Sequence, residues 1–260
     1  MLVVLSPAKS LNLDPAPDGL DHSLPALLEE SERLVAVCRK KSPNKLAALM
    51  GISADLATLN RDRFAAWSPE HTPDNAKPAA LMFAGDTYRG FDAPTLGADD
   101  LRWAQDHVAI LSGLYGLLRP LDLTQPYRLE MGSRLKTRRG SNLYGFWKHR
   151  ITDLLRERLQ DHADPAVVNC ASNEYFSAIQ RKALPRIIDV HFKEERADGT
   201  LQMISFFAKQ ARGMMARYVV TERIEAAEGL QGFNLGGYAL RQDLSDRDSL
   251  VFSRPHPNDQ

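Results

Sequence analysis

Met1-Leu2-Val3-Val4-Leu5-Ser6-Pro7 opens this 260-residue chain with five consecutive apolar residues, stopped by a serine and a proline. An unbroken apolar run lacks the polar alternation of a half-exposed strand, so residues 1–5 are predicted to form a strand covered on both faces, near the middle of a sheet. The period then changes. Leu24, Leu27, Leu28, Leu34, Val35 and Cys38 recur at threes and fours, which predicts an amphipathic helix over 23–41 with Ser23 as cap and Pro25 in its first turn. Two short helices follow at 45–50 and 54–67, joined by Gly51-Ile52-Ser53, where Gly51 suits a left-handed turn and Ser53 suits a cap. A second apolar run, 79–84, ends in Gly85-Asp86, and 99–107 reads as a helix before the apolar 108–111. A helix over 141–159, strands at 166–170, 187–192 and 201–208, and a helix over 209–223 complete the pattern. Asp198-Gly199 makes the last two strands a hairpin. Strands interleaved with helices point to a mixed α/β fold, a mixed sheet surrounded by helices. No linker longer than a turn interrupts it, so 1–260 is expected to be a single compact domain.

Composition narrows the function. Thirty-three Lys and Arg balance thirty-three Asp and Glu, so any surface for phosphate or nucleic acid must come from local segregation of charge. The first apolar run is far shorter than the ~20 residues of a membrane helix and has no signal-peptide layout, which points to a cytoplasmic protein without a membrane partner. With only Cys38 and Cys170 there is no disulfide framework and no clustered metal spacing. Cys38 on an apolar helix face and Cys170 at the end of a buried strand are positions for inert thiols. The sequence shows no repeats of solenoid period.

The common nucleotide, metalloprotease and hydrolase motifs are missing. Gly, Pro, Arg, Tyr and carboxylates instead crowd into a few segments between the regular elements: Ser6-Pro7-Ala8-Lys9, 83–90, 112–122, 125–132, 169–176 and 206–213. Three of them follow predicted strands directly. Loops at the carboxyl ends of strands converge on one edge of a sheet, which would bring Lys9, Asp86 and Glu174 to a common cleft. Lys9, Arg119, Arg128, Lys209 and Arg212 are the candidate phosphate ligands, and Asp86, Asp122, Glu130 and Glu174 are the groups that would orient them or act as acids and bases. The plainer alternative for each residue alone is a structural ion pair or a satisfied carbonyl.

Residues 43–67 follow a helix-hairpin-helix pattern, in which a glycine turn offers free backbone N–H groups to a nucleic-acid phosphate. Gly51 and Ser53 form the turn, with Ser53 where a second glycine is usual, and Lys45, Arg61 and Arg63 supply cations. The alternative is an ordinary helical corner whose Leu46, Leu49, Ile52, Leu56 and Leu59 are core. From Arg128 to Arg158 nine cations face three acids, an excess of six. Arg134, Lys136, Arg138 and Arg139 read as a basic loop, with Tyr144 and Trp147 beyond it as candidates for stacking on bases; the alternative is a solvated basic face with Trp147 in the core.

The motifs S-P-A-K (6–9), F-x-G-D-x-Y-x-G (83–90), L-S-G-L-Y-G-L-L-R-P-L-D-L-x-Q-P-Y-R-L-E-M-G (111–132), A-S-N-E-Y-F (171–176) and F-x-A-K-x-A-R-G (206–213) occur in the order found in the bacterial YaaA family of peroxide-stress proteins, which the chain resembles from Met1 to about Phe252. That resemblance implies a cytoplasmic protein that limits damage linked to free intracellular iron. It also implies one compact α/β body of unusual topology, with a cationic cleft and a helix-hairpin-helix that bind DNA. The expected protein is a monomeric, non-enzymatic DNA binder of low sequence specificity, with no cofactor and no metal. Iron ligands would have to come from Asp86, Glu130, Glu174 and His191, if the fold gathered them. The competing expectation is an enzyme acting on a base or nucleotide through the carboxylates of the same cleft.

Overall fold

A computed structural model of the chain describes residues 1–257. In chain order the strands are β1 (Leu2–Leu5), β2 (Ser10–Leu11), β3 (Lys77–Pro78), β4 (Phe83–Ala84), β5 (Val108–Ser112), β6 (Gly116–Leu118), β7 (Leu123–Thr124), β8 (Ala166–Cys170), β9 (Arg186–Glu195), β10 (Leu201–Gln202), β11 (Ala239–Leu240) and β12 (Ser249–Pro255). The helices are α1 (Leu28–Cys38), α2 (Pro43–Met50), α3 (Ala54–Ala66), α4 (Ala79–Met82), α5 (Asp86–Phe91), α6 (Ala98–His107), α7 (Leu143–Trp147), α8 (Arg150–Leu159), α9 (Asn173–Phe176) and α10 (Ser205–Thr221). Eight strands form one mixed sheet in the order β11-β12-β9-β8-β1-β5-β6, with β10 paired to β9, while β2–β4 and β3–β7 make two small pairs. β12, β9, β8, β1 and β5 run parallel, and β6, β10 and β11 run antiparallel to their neighbours.

β1 lies between β8 and β5 and is wholly buried, as its continuous apolar run predicts. The hairpin through Asp198-Gly199 forms, with Gly199 at φ 80°. It is shorter than expected. β10 stops at Gln202 and Ser205 begins α10, because Ala208, Ala211, Met215, Val219 and Val220 recur at helical spacing and bury a stripe that outweighs the strand tendency of Phe206 and Phe207. The helix expected over 141–159 breaks in two at Lys148, whose φ of 49° and ψ of −113° are not helical, and Trp147 just before the break is fully buried. α1 begins at Leu28 rather than Ser23; Ser23 instead donates its hydroxyl to Asp122 at 2.6 Å and pairs beside it. The run 79–84 divides into the helical turn α4 and the short strand β4. β12, to which the sequence pattern assigned no element, lies against β9 along seven residue pairs.

α10 crosses the face of α5 at backbone contact. A Cβ added to Gly213 would sit 1.7 Å from the Thr87 carbonyl oxygen, and one added to Gly90 would sit 2.0 Å from that of Gln210. Both obstacles are backbone, which cannot rotate aside. Gly213→Ala is therefore expected to lose about 3 kcal/mol or more of unfolding free energy in urea denaturation. Gly97→Ala, whose new carbon would meet nothing nearer than 3.7 Å, is expected to stay within about 1 kcal/mol of the parent.

Candidate functional site

The loops after β1, β4 and β8 meet at the carboxyl edge of the sheet, where parallel strands leave their ligand crevices. The Ser6 hydroxyl accepts the Ser172 backbone N–H at 2.9 Å and lies 3.3 Å from the Ser172 hydroxyl, tying the first loop to the third. The buried Tyr88 of α5 donates its hydroxyl to the Ser6 carbonyl at 3.0 Å and fixes the second loop to the first. Around this frame a cavity of 360 Å³ is lined by Lys9, Asp86, Glu130, Glu174, Lys209 and Arg212 among others. Residues far apart in sequence are thus gathered from four segments and one long helix.

The carboxylates are engaged. Glu130 receives Lys9 at 3.2 Å and Arg128 at 3.1 Å, Asp86 pairs with Arg89 at 3.1 Å, and Glu174 accepts the Gly132 N–H at 2.9 Å. Tyr144 holds the same loop by donating to the Glu174 carbonyl at 2.8 Å. The cations of α10 differ. Among the described residues neither Lys209 nor Arg212 has a carboxylate or hydrogen-bonding partner, although burial pulls the Arg212 guanidinium below its ordinary pKa. A partly desolvated, unpartnered guanidinium is costly unless an anion completes it. Cys170 borders the same cavity but is buried, and burial pushes its thiol up to about 12, as it does for Cys38.

Not every expected residue is there. Arg119 and Asp122 line a separate cavity of 730 Å³ with Arg158, His107 and His162. Asp122 is 2% exposed; its carboxyl is pushed up by burial and held by Ser23, by the Arg119 N–H at 2.7 Å and by the Arg119 side chain. Arg119 and Asp122 therefore form a structural corner apart from the cleft. Trp147 cannot stack on a base: it is fully buried and donates its ring N–H to the Gly113 carbonyl at 3.0 Å. In the basic loop Arg134, Lys136 and Arg138 are exposed, whereas Arg139 is committed to Glu30. His191 lies outside the Asp86–Glu130–Glu174 cavity, in a neighbouring one, and no group of three or more His, Cys, Asp or Glu among the described residues is placed to hold a metal ion.

In the hairpin Gly51 closes α2 at φ 61° and ψ 46°, and Ser53 caps α3 by accepting the Leu56 N–H at 3.4 Å. Lys45 is exposed, Arg61 is paired with Asp62, and Arg63 is partly buried. Leu46 is core, but Leu56 and Leu59 are 40% and 43% exposed and so do not belong to the core of a simple helical corner. The only signal for the Ser6–Ser172–Tyr88 frame in the residue order is that the two serines lie one and two residues beyond buried strands.

The family model described as "Peroxide stress protein YaaA" matches residues 1–244. Among curated relatives, a "UPF0246 protein" of Paracidovorax citrulli is 55% identical over 256 residues, covering 98% of each chain. Another "UPF0246 protein", from Verminephrobacter eiseniae, is 51% identical over 259 residues and 99% of each chain.

With both thiols buried and pushed to about 12, alkylation of the native protein by iodoacetamide at pH 8, followed by intact mass, is expected to run roughly a thousandfold slower than in urea-unfolded chain. Comparable rates in the two states would show that a thiol is open to oxidants.

Proposed function

The chain belongs to the YaaA family of peroxide stress proteins, and we propose that it binds DNA through the cleft of Lys9, Lys209 and Arg212, limiting iron-dependent oxidative damage. The observation that carries this reading is the pair Lys209 and Arg212. They stand three residues apart on one face of α10, lack any carboxylate partner among the described residues, and open on a cavity that also receives Lys9. Phosphate oxygens are the chemistry such a pair awaits. Arg128 supports the cleft indirectly through Glu130. The hairpin supplies a second contact in this proposal: the turn from Gly51 to Ser53 presents the start of α3, with Lys45, Arg61 and Arg63 on the flanking helices. Backbone recognition of this kind carries little sequence preference. No helix among the described residues is long and apolar enough to cross a membrane, and the whole 1–260 domain is proposed to act in the cytoplasm without a cofactor.

A second reading rests on a separate observation. Asp86, Glu130 and Glu174 ring the same cavity as the cations, which phosphate binding alone does not require. They would serve an enzyme acting on a base or nucleotide. Glu174→Gln separates the two: a DNA binder keeps or gains affinity on losing a nearby negative charge, while an enzyme loses turnover.

Fluorescence anisotropy with a labelled duplex across a salt series is expected to show log affinity falling linearly with log salt, with a slope of about 0.9 per phosphate contacted. Lys9→Ala/Lys209→Ala is expected to reduce that slope by about 2. Absence of binding at low salt would overturn the DNA reading.

A further inference from the structure

Arg212 does not only border the cleft. It also lines a second cavity of 490 Å³, inside the roughly 300–1,000 Å³ range of small-ligand sites. Arg212 thus belongs to the lining of both cavities, and the second carries cations of its own in Arg181 and Lys193. The floor of the second cavity is apolar and buried, made of Phe176, Val190 and Ala208. Met203, 58% exposed, and the exposed His191 form its rim.

One edge is polar and rigidly held. Asn169 donates to the Asp189 carboxylate at 2.8 Å while its own carbonyl oxygen accepts the Ala171 N–H at 3.1 Å, which fixes the orientation of its amide. Arg181 grips the same carboxylate with two N–H groups, at 3.2 and 2.6 Å. Burial works to raise the Asp189 carboxyl, but the bonds from Arg181 and Asn169 outweigh it and hold the group ionised. Asn169 keeps its second amide N–H, and the carboxylate keeps lone pairs, for a ligand.

An apolar floor, a fixed edge of donors and acceptors, and an unpartnered guanidinium one side chain away match a flat heteroaromatic ring joined to a phosphate. We propose that this cavity receives a single unpaired nucleobase, with Arg212 neutralising its phosphate and Asn169 and Asp189 reading its edge. The inference rests on the DNA reading and extends it: the cleft would hold the strand, and the neighbouring cavity would hold one nucleotide turned out of the stack. A base already unpaired enters at least cost. The same chemistry is carried by a free nucleoside monophosphate, so both sources are tested.

The test uses the whole protein with three probes: a fully paired duplex, the same duplex with one unpaired 2-aminopurine, and free 2-aminopurine riboside 5′-monophosphate. The bulged duplex is expected to bind about tenfold or more tightly than the paired one, with a change in 2-aminopurine fluorescence. His191→Ala/Met203→Ala trims two exposed rim side chains, so folding is expected to survive, as thermal melts would check. That variant is expected to bind both duplexes with the affinity of the paired one. Equal affinity of the parent for the two duplexes, or a preference that survives the double substitution, overturns the pocket and leaves the DNA reading standing. If neither duplex binds, the DNA reading fails. Binding of the free monophosphate that the double variant abolishes would then support the cavity as a mononucleotide site, and no response to it would overturn the cavity too.

Discussion

Two glycines hold the site together. Gly90 on α5 and Gly213 on α10 let the helices approach until backbone touches backbone, leaving no room for a methyl group on either side. The consequence reaches past packing. α5 begins at Asp86 and carries Tyr88, whose hydroxyl pins the loop that bears Lys9; α10 carries Lys209 and Arg212. With α10 in turn seated on the sheet through Ala208, Ala211 and Met215, the cations take fixed positions over the carboxyl ends of β1 and β8. Small residues were needed here for distance, and Gly213 shows no unusual φ, so its role is close approach rather than a special turn.

The charges around the cleft follow from what can and cannot be solvated. Glu130 sits between Lys9 and Arg128, and Glu174 takes a backbone N–H, so each carboxylate is satisfied within the protein. Lys209 and Arg212 are left over. An overall charge of zero therefore coexists with local cations that have no partner among the described residues, because balance over 260 residues says nothing about balance within one cavity. The opposite, amino-end cavity has its own leftover donor: Arg158 gives one nitrogen to the Gln105 and Val108 carbonyls and leaves Nη1 buried without a partner. Acidic side chains at Asp106, Glu157, Asp161 and Glu225 line the same cavity, so its surroundings do not favour an anion.

Much of this was readable from residue order, and the failures share a cause. Lys9, Asp86 and Glu174 could be placed together because each follows a buried strand, and strands that run parallel deliver their following loops to one edge. The same logic misplaces Arg119 and Asp122. They sit in the motif that also contains Arg128 and Glu130, yet β6 runs antiparallel to β5 and carries the chain back to the amino edge before it returns. Strand direction is set by tertiary pairing and leaves little trace in a three-residue strand such as Gly116–Leu118. For Trp147 the two readings differ by period: neighbourhood to a basic loop suggests stacking, while its place in the apolar series with Leu143 and Ile151 puts it in the core, where the structure has it. The Phe206-Phe207 pair reads as strand locally, and only the buried stripe that follows it decides for a helix.

Membership in a peroxide-stress family invites a direct reaction with peroxide, and the structure gives a physical reason to look elsewhere. A thiol reacts with peroxide as thiolate, and both cysteines are buried with ionisation pushed to about 12, so near neutral pH almost none of either is in the reactive form. Cys170 is the instructive case. It borders the very cavity that carries the cations, and a neighbouring Arg212 favours its thiolate, but desolvation at the end of β8 is the larger effect. Arg212 is thus close enough to activate a thiol and fails to do so. Desolvation at the end of β8 outweighs a neighbouring positive charge, and the thiol stays protonated near neutral pH.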